Sequence, residues 1–280
     1  VLALGFIGLL GPVAALLKRV LPDRATGAAP ETPRHLDDAA LDTPTLALAN
    51  AEREIMRLAD IAETMLRETV AVFERDARRL IVEVERRNRV LDRLTEAIKR
   101  YLVRINPEDM SESEGRRYAI LLGYAIDLAH VGDIVEKNLM EAAAKKEKRR
   151  LTFSAEGAAE IRDMLGRLPD SLRLSLAVLL SGDVAAARQL VGEKEIVRAM
   201  EQRATDNHLQ RLREGRPESM ETSALHLDIL RDARRITAHL AGAANPLLEE
   251  QGQLRSNRLR GPDGATGRNS SGRGQPSLSR

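Results

Sequence analysis

The side chains in this sequence that could do chemistry lie in two short polar stretches within apolar, helix-like sequence. The first stretch contains Asp127, His130 and Asp133, three residues apart. In a helix this spacing brings the three side chains to neighbouring positions on one face. An imidazole near carboxylates can bind a transition metal or titrate near neutral pH. It can equally donate a hydrogen bond to a neighbouring carboxylate or carbonyl, so both interpretations stay open.

The second stretch carries acidic and basic residues along one helical face. Asp228, Asp232, Arg235 and His239 follow one another by four, three and four residues, and Arg231 lies among them. This periodicity places the charges beside an apolar stripe that must be packed. One interpretation is a network of salt bridges at a seam between helices. The other is a metal or anion site, since two carboxylates one turn apart can share a cation when a facing helix supplies further ligands.

Two sets of site residues follow from these stretches. The candidate metal ligands are Asp133, Asp228 and Asp232. The predicted polar seam between packed helices consists of Asp127, His130, Asp133, Asp228, Arg231, Asp232, Arg235 and His239. The sequence has no Cys, which excludes disulfides, thiolate metal sites and cysteine nucleophiles. A ferritin-like metal enzyme would need Glu-x-x-His pairs, and no such pair occurs at His130, His208, His226 or His239. We therefore predict no catalytic residues and a protein that is not an enzyme.

The composition predicts an all-α fold that positions these residues. Apolar side chains make up 43% of the chain and charged side chains 31%, with three Phe, three Tyr and no Trp. Such a core must be built from aliphatic residues, as in helical bundles. The net charge of +2 is nearly balanced, and the basic runs lack interleaved aromatic residues. Nucleic acid is therefore not an expected partner.

The helical pattern divides into three helices followed by three more. It begins at Thr43-Pro44 and continues with little interruption to Ile105. Ser111 and Glu114 have the spacing of a capping box that opens a new helix, which continues to the basic run 145–150. The second set covers about 154–180, 183–212 and 219–248. Charge-dense middle helices in both sets predict a duplicated three-helix unit.

The two ends of the chain differ from this helical part. Residues 1–17 form an unbroken apolar run of about 25 Å as a helix, followed by Lys18, Arg19 and Arg24. We expect the end of a transmembrane helix, with the residues after about 20 on the cytoplasmic side. A buried helix of a soluble protein is the alternative. The predicted divisions are residues 1–20 for the membrane segment, 21–43 for a linker, 44–250 for the helical domain with repeats at about 44–150 and 151–250, and 251–280 for a disordered tail.

Two separated stretches of sequence resemble a known family. Residues 124–139, Tyr-Ala-Ile-Asp-Leu-Ala-His-Val-Gly-Asp-Ile-Val-Glu-Lys-Asn-Leu, and residues 223–236, Ser-Ala-Leu-His-Leu-Asp-Ile-Leu-Arg-Asp-Ala-Arg-Arg-Ile, are similar to the two signature helices of the PhoU-like domain of bacterial sodium/phosphate (Na/Pi) cotransporters. The linker around Pro33 and Leu41 agrees with this resemblance. The resemblance implies two tandem three-helix units below a membrane part that exchanges sodium and phosphate ions.

The resemblance also bears on metal binding. Stand-alone members of this family carry metal clusters on a Glu-x-x-x-Asp motif in each repeat. The motif positions fall here on Ala129 and Asp133 in the first repeat and on Arg234 and Ala238 in the second. Neither Arg234 nor Ala238 can bind a metal cation. The resemblance therefore implies no firm cofactor, and binding of iron or of a divalent metal at these positions is not expected.

The function that the resemblance implies is that of a cytoplasmic regulatory domain of a sodium-dependent phosphate transporter in the bacterial inner (plasma) membrane. Its partners would be its own membrane part and, as an open alternative, further copies of the same chain in a homo-oligomer. A second hypothesis is a membrane-anchored helical signalling or adaptor protein that responds to phosphate status. That class needs heptads sustained over many turns, whereas Pro107, Pro169 and Pro217 predict shorter helices.

Overall fold

A computed structural model describes residues 31–74 and 77–250, and this part of the chain is helical, as the sequence predicts. The helices are α1 (Pro44–Glu74), α2 (Ala77–Val103), α3 (Glu112–Lys148), α4 (Ala155–Ser181), α5 (Val184–Arg213), α6 (Pro217–Glu221), α7 (Ser223–Ala241) and α8 (Asn245–Glu250). Short 3-10 turns lie at Asp38–Ala40, Pro107–Asp109 and Gly242–Ala244. The predicted membrane segment and the predicted tail lie outside the described residues.

The six long helices form two three-helix bundles, which confirms the predicted fold class. In the first bundle α1 packs on α2 and α3, and α2 packs on α3. In the second bundle α4, α5 and α7 pack on one another in the same way. Each bundle is built on stripes of Leu, Ile, Val and Ala at helical spacing, because burial of such stripes is the main source of stability for a helix in water.

The two bundles share an extensive interface. Helix α1 of the first bundle packs along α4 of the second, and α3 packs along α7. The buried aliphatic residues of both bundles belong to one connected core. At the interface the hydroxyls of Tyr124 on α3 and Ser175 on α4 form a buried hydrogen bond of 2.8 Å. Equivalent helices of the two bundles therefore contact each other, which places the polar residues of α3 opposite those of α7.

The described end of the predicted linker is packed against the first bundle. The backbone amides of Arg34 and His35 both donate to Oε2 of Glu54, at 2.9 Å each. Glu54 is fully buried and also accepts from Arg57 at 2.7 Å. The 3-10 turn Asp38–Ala40 then leads into α1. This segment is therefore held in place along the side of α1 before that helix begins.

Helix α3 begins and continues for identifiable reasons. Ser111 and Glu114 form the predicted capping box, in which each side chain bonds the other residue's backbone amide. Between α-helical parts at Glu112–Ile134 and Glu141–Lys148, the segment Val135–Met140 is a π-helix. A π-segment widens the turn by one residue and therefore rotates the side chains that follow it. In this helix it sets the direction of Glu136 and Asn138.

The structure corrects one expectation about the helices. Pro169 does not end a helix, because α4 runs through it; Pro169 is buried, and its packing offsets the missing backbone hydrogen bond. The pattern 44–105 contains two helices, α1 and α2, packed side by side, in agreement with the predicted set of three helices before residue 150. Gly132 makes room for side chains of α2. A Cβ at this position would lie 2.3 Å from Oδ1 of Asn88 and 3.2 Å from Cδ2 of Leu91.

One described helix, α3, is long and apolar enough by length and composition to cross a membrane. Much of its apolar window is buried inside the protein, where Leu121, Leu128 and Val131 pack into the core. The core helix of a globular bundle meets the same criterion as a membrane helix. Its apolar character is therefore accounted for by its position between the two bundles.

Candidate functional site

The candidate site is the polar part of the contact between α3 and α7. The two helices are antiparallel, since Asn138 lies near Asp232 and Asp127 lies near His239. Nδ1 of His239 donates to Oδ1 of Asp127 at 3.0 Å, because an ionised carboxylate can only accept. The rings of His130 and His239 are tilted against each other with centroids 4.9 Å apart. The structure therefore brings Asp127, His130 and His239 of the predicted seam together.

Asp232 is the most deeply buried carboxylate of this contact. It is 2% exposed. Its Oδ1 accepts from Nη1 of Arg235 at 2.9 Å, and its Oδ2 accepts from Nδ2 of Asn138 on α3 at 3.1 Å. The bond from Asn138 joins the two bundles directly. A buried carboxylate that is satisfied from two helices fixes how those helices meet, because any shift leaves a charge without its partners.

The remaining members of the predicted seam pair within their own helices. Asp228 lies 2.9 Å from Nη1 of Arg231, and both side chains are half exposed. Asp133 lies 2.7 Å from Nζ of Lys137, one turn further along α3. The three candidate metal ligands Asp133, Asp228 and Asp232 therefore each face a cation of their own helix, and the structure does not bring them together as a group of three.

A second polar contact lies on the other side of α3, against α2. Nδ2 of Asn88 donates to Oε2 of Glu136 at 3.0 Å, while Oδ1 of Asn88 is buried without a hydrogen-bond partner. On the same side, burial raises the pKa of Asp92, and the nearby carboxylate of Asp133 raises it further. The like charges of Asp92 and Asp133 are offset in part by Lys137. Asp133 therefore faces the first bundle rather than α7.

The structure also shows a charged cluster in the second bundle that the sequence did not indicate. Arg211 on α5 donates two hydrogen bonds to Glu160 on α4, at 3.1 and 2.8 Å. Nδ2 of Asn207 donates to the same carboxylate at 3.0 Å, and Nε2 of His226 lies 3.1 Å from it. Burial alone would raise the pKa of Glu160, but the nearby His226 and the hydrogen bonds from Arg211 and Asn207 outweigh burial and lower it to about 2.

Two stacked histidines complete this cluster. The rings of His208 and His226 are nearly parallel, with centroids 4.7 Å apart, and both residues are buried. Nε2 of His208 shares a hydrogen bond of 2.8 Å with Oγ of Ser223. Burial lowers the pKa of His208, and the nearby His226 and Arg211 lower it further, against the opposing effect of Glu160. The cluster ties α4, α5 and α7 together at the end where α7 begins.

Sequence spacing could not reveal this second cluster, because its members come from three helices. His208 and Arg211 are three residues apart, which is an ordinary helical spacing, and Glu160 lies in an unremarkable charged turn. The partners of the predicted seam on α3 were missed for a related reason. Asn138 reaches Asp232 from within the π-segment, whose rotation a regular helical period does not predict.

The fold and the site define a helical protein in which two similar three-helix bundles meet along a contact of charged and histidine side chains. Residues 55–142 and 161–245 match the model of the PhoU domain, once in each bundle. The chain therefore belongs to the PhoU domain family.

Relatives and solved structures agree with this assignment. The chain is 36% identical over 241 residues to the "Putative inorganic phosphate export protein YjbB" of Escherichia coli K12, and 35% identical over 244 residues to the protein of the same name from Salmonella typhimurium LT2. These alignments cover 85% and 86% of this chain. The chain spans 44% of the length of each relative, less than half.

Two crystal structures have the same fold. PhoU from Pseudomonas aeruginosa superposes with a TM-score of 0.66 at 18% identity, covering 73% of this chain and 97% of that one. The phosphate transport system regulatory protein PhoU from Streptococcus pneumoniae superposes with a TM-score of 0.66 at 14% identity, covering 76% and 99%. At these identities the likeness shows the fold.

Proposed function

We propose that this chain is the cytoplasmic regulatory part of a sodium-dependent phosphate transporter in the bacterial inner membrane. The observation that carries the proposal is the combination of two PhoU matches in this chain with alignment to less than half of a longer relative whose name states phosphate export. The apolar residues 1–17, followed by basic residues, support attachment to a membrane. The sodium dependence rests on the resemblance of the signature helices to those of sodium/phosphate cotransporters.

The geometry suggests how such a domain would work. The two bundles meet at α1 against α4 and at α3 against α7, and the second contact is held by polar bonds such as the one between Asn138 and Asp232. Because a shift of α7 against α3 leaves the buried charge of Asp232 without its partners, this contact favours discrete arrangements of the two helices over gradual movement. The α3–α7 contact is therefore the part of the molecule that we assign to regulation.

The test compares phosphate flux in cells that carry the full-length parent protein with flux in cells that carry a version truncated after Arg24. Radiolabelled phosphate is followed in both directions, with and without a sodium gradient. We expect sodium-dependent flux from the parent and an altered rate or an altered response to phosphate after truncation. A parent protein without phosphate flux overturns the transporter assignment and favours the phosphate-responsive signalling protein. Flux that is identical in both versions overturns the regulatory role.

Two point variants of the parent localise the effect. Asp232→Asn weakens the bond between α3 and α7, whereas Asp228→Asn alters a half-exposed pair within α7. If the contact regulates transport, the first variant changes the flux response and the second leaves it as in the parent. Equal responses from both variants would assign regulation to another surface of the domain.

A further inference from the structure

Three metal-ligating side chains meet where α3 passes the end of α7. Asp127 and His130 lie one turn apart on α3, and His239 lies opposite them on α7. Each offers one ligand atom, and these atoms all lie within 4.8 Å of one another. In the described ranges 31–74 and 77–250, no other three histidine or carboxylate side chains converge this closely. Its members come from both bundles.

Two contacts already link the three side chains. Asp127 and His239 are joined by a hydrogen bond of 3.0 Å, and the ring of His130 leans on the ring of His239. In the described part of the chain, His130 is exposed and its ring contacts His239 without a hydrogen bond. Its nitrogens are therefore open to a ligand from solvent.

A glycine leaves space for the carboxylate. A Cβ at Gly242, in the turn after α7, would lie 3.0 Å from Oδ2 of Asp127. That distance is shorter than a normal van der Waals contact, so a larger residue would push the carboxylate away from the two histidines. The backbone of the second bundle thus accommodates a side chain of the first.

The charges around the group are compatible with a cation. Arg235 lies one turn before His239, but its guanidinium is bonded to Asp232 at 2.9 Å. Arg231 is similarly paired with Asp228 at 2.9 Å. Both arginines therefore have their charge compensated by carboxylates of α7, and Asp127 supplies the negative charge at the group itself.

We propose that Asp127, His130 and His239 bind a divalent transition-metal ion of the Zn²⁺ type. Two imidazoles and one carboxylate are a donor set that suits Zn²⁺, with water in the remaining position. Metal–nitrogen distances of about 2.0 Å bring tetrahedral ligand atoms to within roughly 3.3 Å of one another. His130 is exposed and Asp127 is partly exposed, so rotation of these side chains can shorten the observed separations, with the metal ion taking the place of the proton shared by Asp127 and His239.

This site differs from the one that the family resemblance implies. The Glu-x-x-x-Asp positions fall on Ala129 with Asp133 and on Arg234 with Ala238, each pair within one repeat. The group proposed here uses one side chain from the second bundle and two from the first. A metal ion bound here would therefore join the two bundles across the α3–α7 contact. The inference stands on these contacts and is independent of the proposed transport role.

The test is metal binding by the full 280-residue chain, purified in detergent with an affinity tag that lacks histidine. Titration calorimetry with Zn²⁺ measures stoichiometry and Kd, and visible absorption of added Co²⁺ reports the ligand field. We expect one site per chain. His130→Ala should weaken Zn²⁺ binding by more than about tenfold. Substitution of residues that only support a metal ligand already costs that much, and His130 is itself a proposed ligand. His130 is exposed, so this variant should fold normally.

Two controls make the outcome decisive. His35→Ala removes an exposed histidine far along the chain from the group, and Asp133→Ala removes the carboxylate of the motif position. Both should bind Zn²⁺ as the wild type does, and Zn²⁺ should raise the melting temperature of the wild type and of both controls but not of His130→Ala. A wild-type chain that binds no Zn²⁺, or equal affinity in His130→Ala and His35→Ala, overturns the proposal.

Discussion

At the scale of single residues, burial separates two aspartates that look alike in sequence. Asp228 and Asp232 lie one turn apart on α7, and each pairs with an arginine three residues later. Asp232 is 2% exposed and also binds Asn138 across the bundle contact, whereas the side chain of Asp228 is 50% exposed. The two Asp–Arg pairs therefore contribute differently to the free energy of unfolding, because solvent screens the exposed pair.

Asp232→Ala should lower the free energy of unfolding by about 2 kcal/mol, because it leaves the amide of Asn138 without its acceptor in a partly buried contact. Asp228→Ala should change it by less than about 0.5 kcal/mol. Urea unfolding followed by circular dichroism measures both. Equal effects of the two substitutions would show that the bond between Asn138 and Asp232 contributes nothing to stability.

The lowered pKa of His208 makes stability depend on pH. Its ordinary pKa is 6.5, and the folded protein lowers it by burial and by the charges of His226 and Arg211. As the pH falls through about 6.5, the unfolded chain therefore takes up a proton that the folded chain does not, and the free energy of unfolding decreases. We expect His208→Gln to reduce this decrease between about pH 7.5 and pH 5.5, measured by urea unfolding. His35→Gln, at an exposed position, should retain the wild-type slope, and a slope unchanged by His208→Gln would contradict the prediction.

At the scale of helices, α3 contains two glycines with opposite consequences. An Ala at Gly123 would meet nothing within 4 Å, whereas an Ala at Gly132 would lie 2.3 Å from Oδ1 of Asn88. Gly123→Ala should therefore stabilise the protein by about 1 kcal/mol through helix propensity. Gly132→Ala should destabilise it by about 1 kcal/mol, because overpacking against a buried side chain exceeds that gain. In an Asn88→Ala background Gly132→Ala should become stabilising, and thermal melts in which it stays destabilising would refute the steric explanation.

The helices show how far sequence could lead and where it stopped. Apolar periodicity and the capping box at Ser111 and Glu114 predict where α3 begins, because these signals act within a few residues. The predicted count of three helices in the first set is confirmed, but the periodicity did not place the boundary between α1 and α2, since both helices carry the same kind of stripe. It also gave Pro169 too much weight, because tertiary packing overrides local propensity in a buried helix.

The candidate site was predictable only in part, because sequence spacing reports on contacts within one helix. Helical spacing places Asp228, Asp232, Arg235 and His239 close together on α7, so the sequence could name them. It could not show that His239 meets Asp127, or that Asp232 meets Asn138, because those contacts join residues about a hundred positions apart. Which helices face each other is a property of the packed bundles, and spacing along one helix contains no information about it.

At the scale of the whole molecule, the connected core predicts that the two bundles unfold together. Buried residues of both bundles form one hydrophobic cluster, and polar bonds such as those of Tyr124 with Ser175 and of Asn138 with Asp232 cross between them. Neither bundle can therefore lose its structure without exposing apolar surface of the other. For a shared core of this kind, cooperative all-or-none unfolding is the expected behaviour.

Differential scanning calorimetry of the full chain in detergent should therefore show a single transition, in which both bundles unfold. Gly132→Ala acts within the first bundle, and Glu160→Gln acts within the second, where it weakens the buried pair with Arg211 at a cost of about 3 kcal/mol. If the core is shared, each substitution lowers the temperature of the same single transition, and the second lowers it more. If the bundles are independent, the trace contains two transitions, and each substitution moves only one of them. That second outcome would limit the α3–α7 contact to a loose association, and a metal ion at Asp127, His130 and His239 would then be expected to merge the two transitions into one.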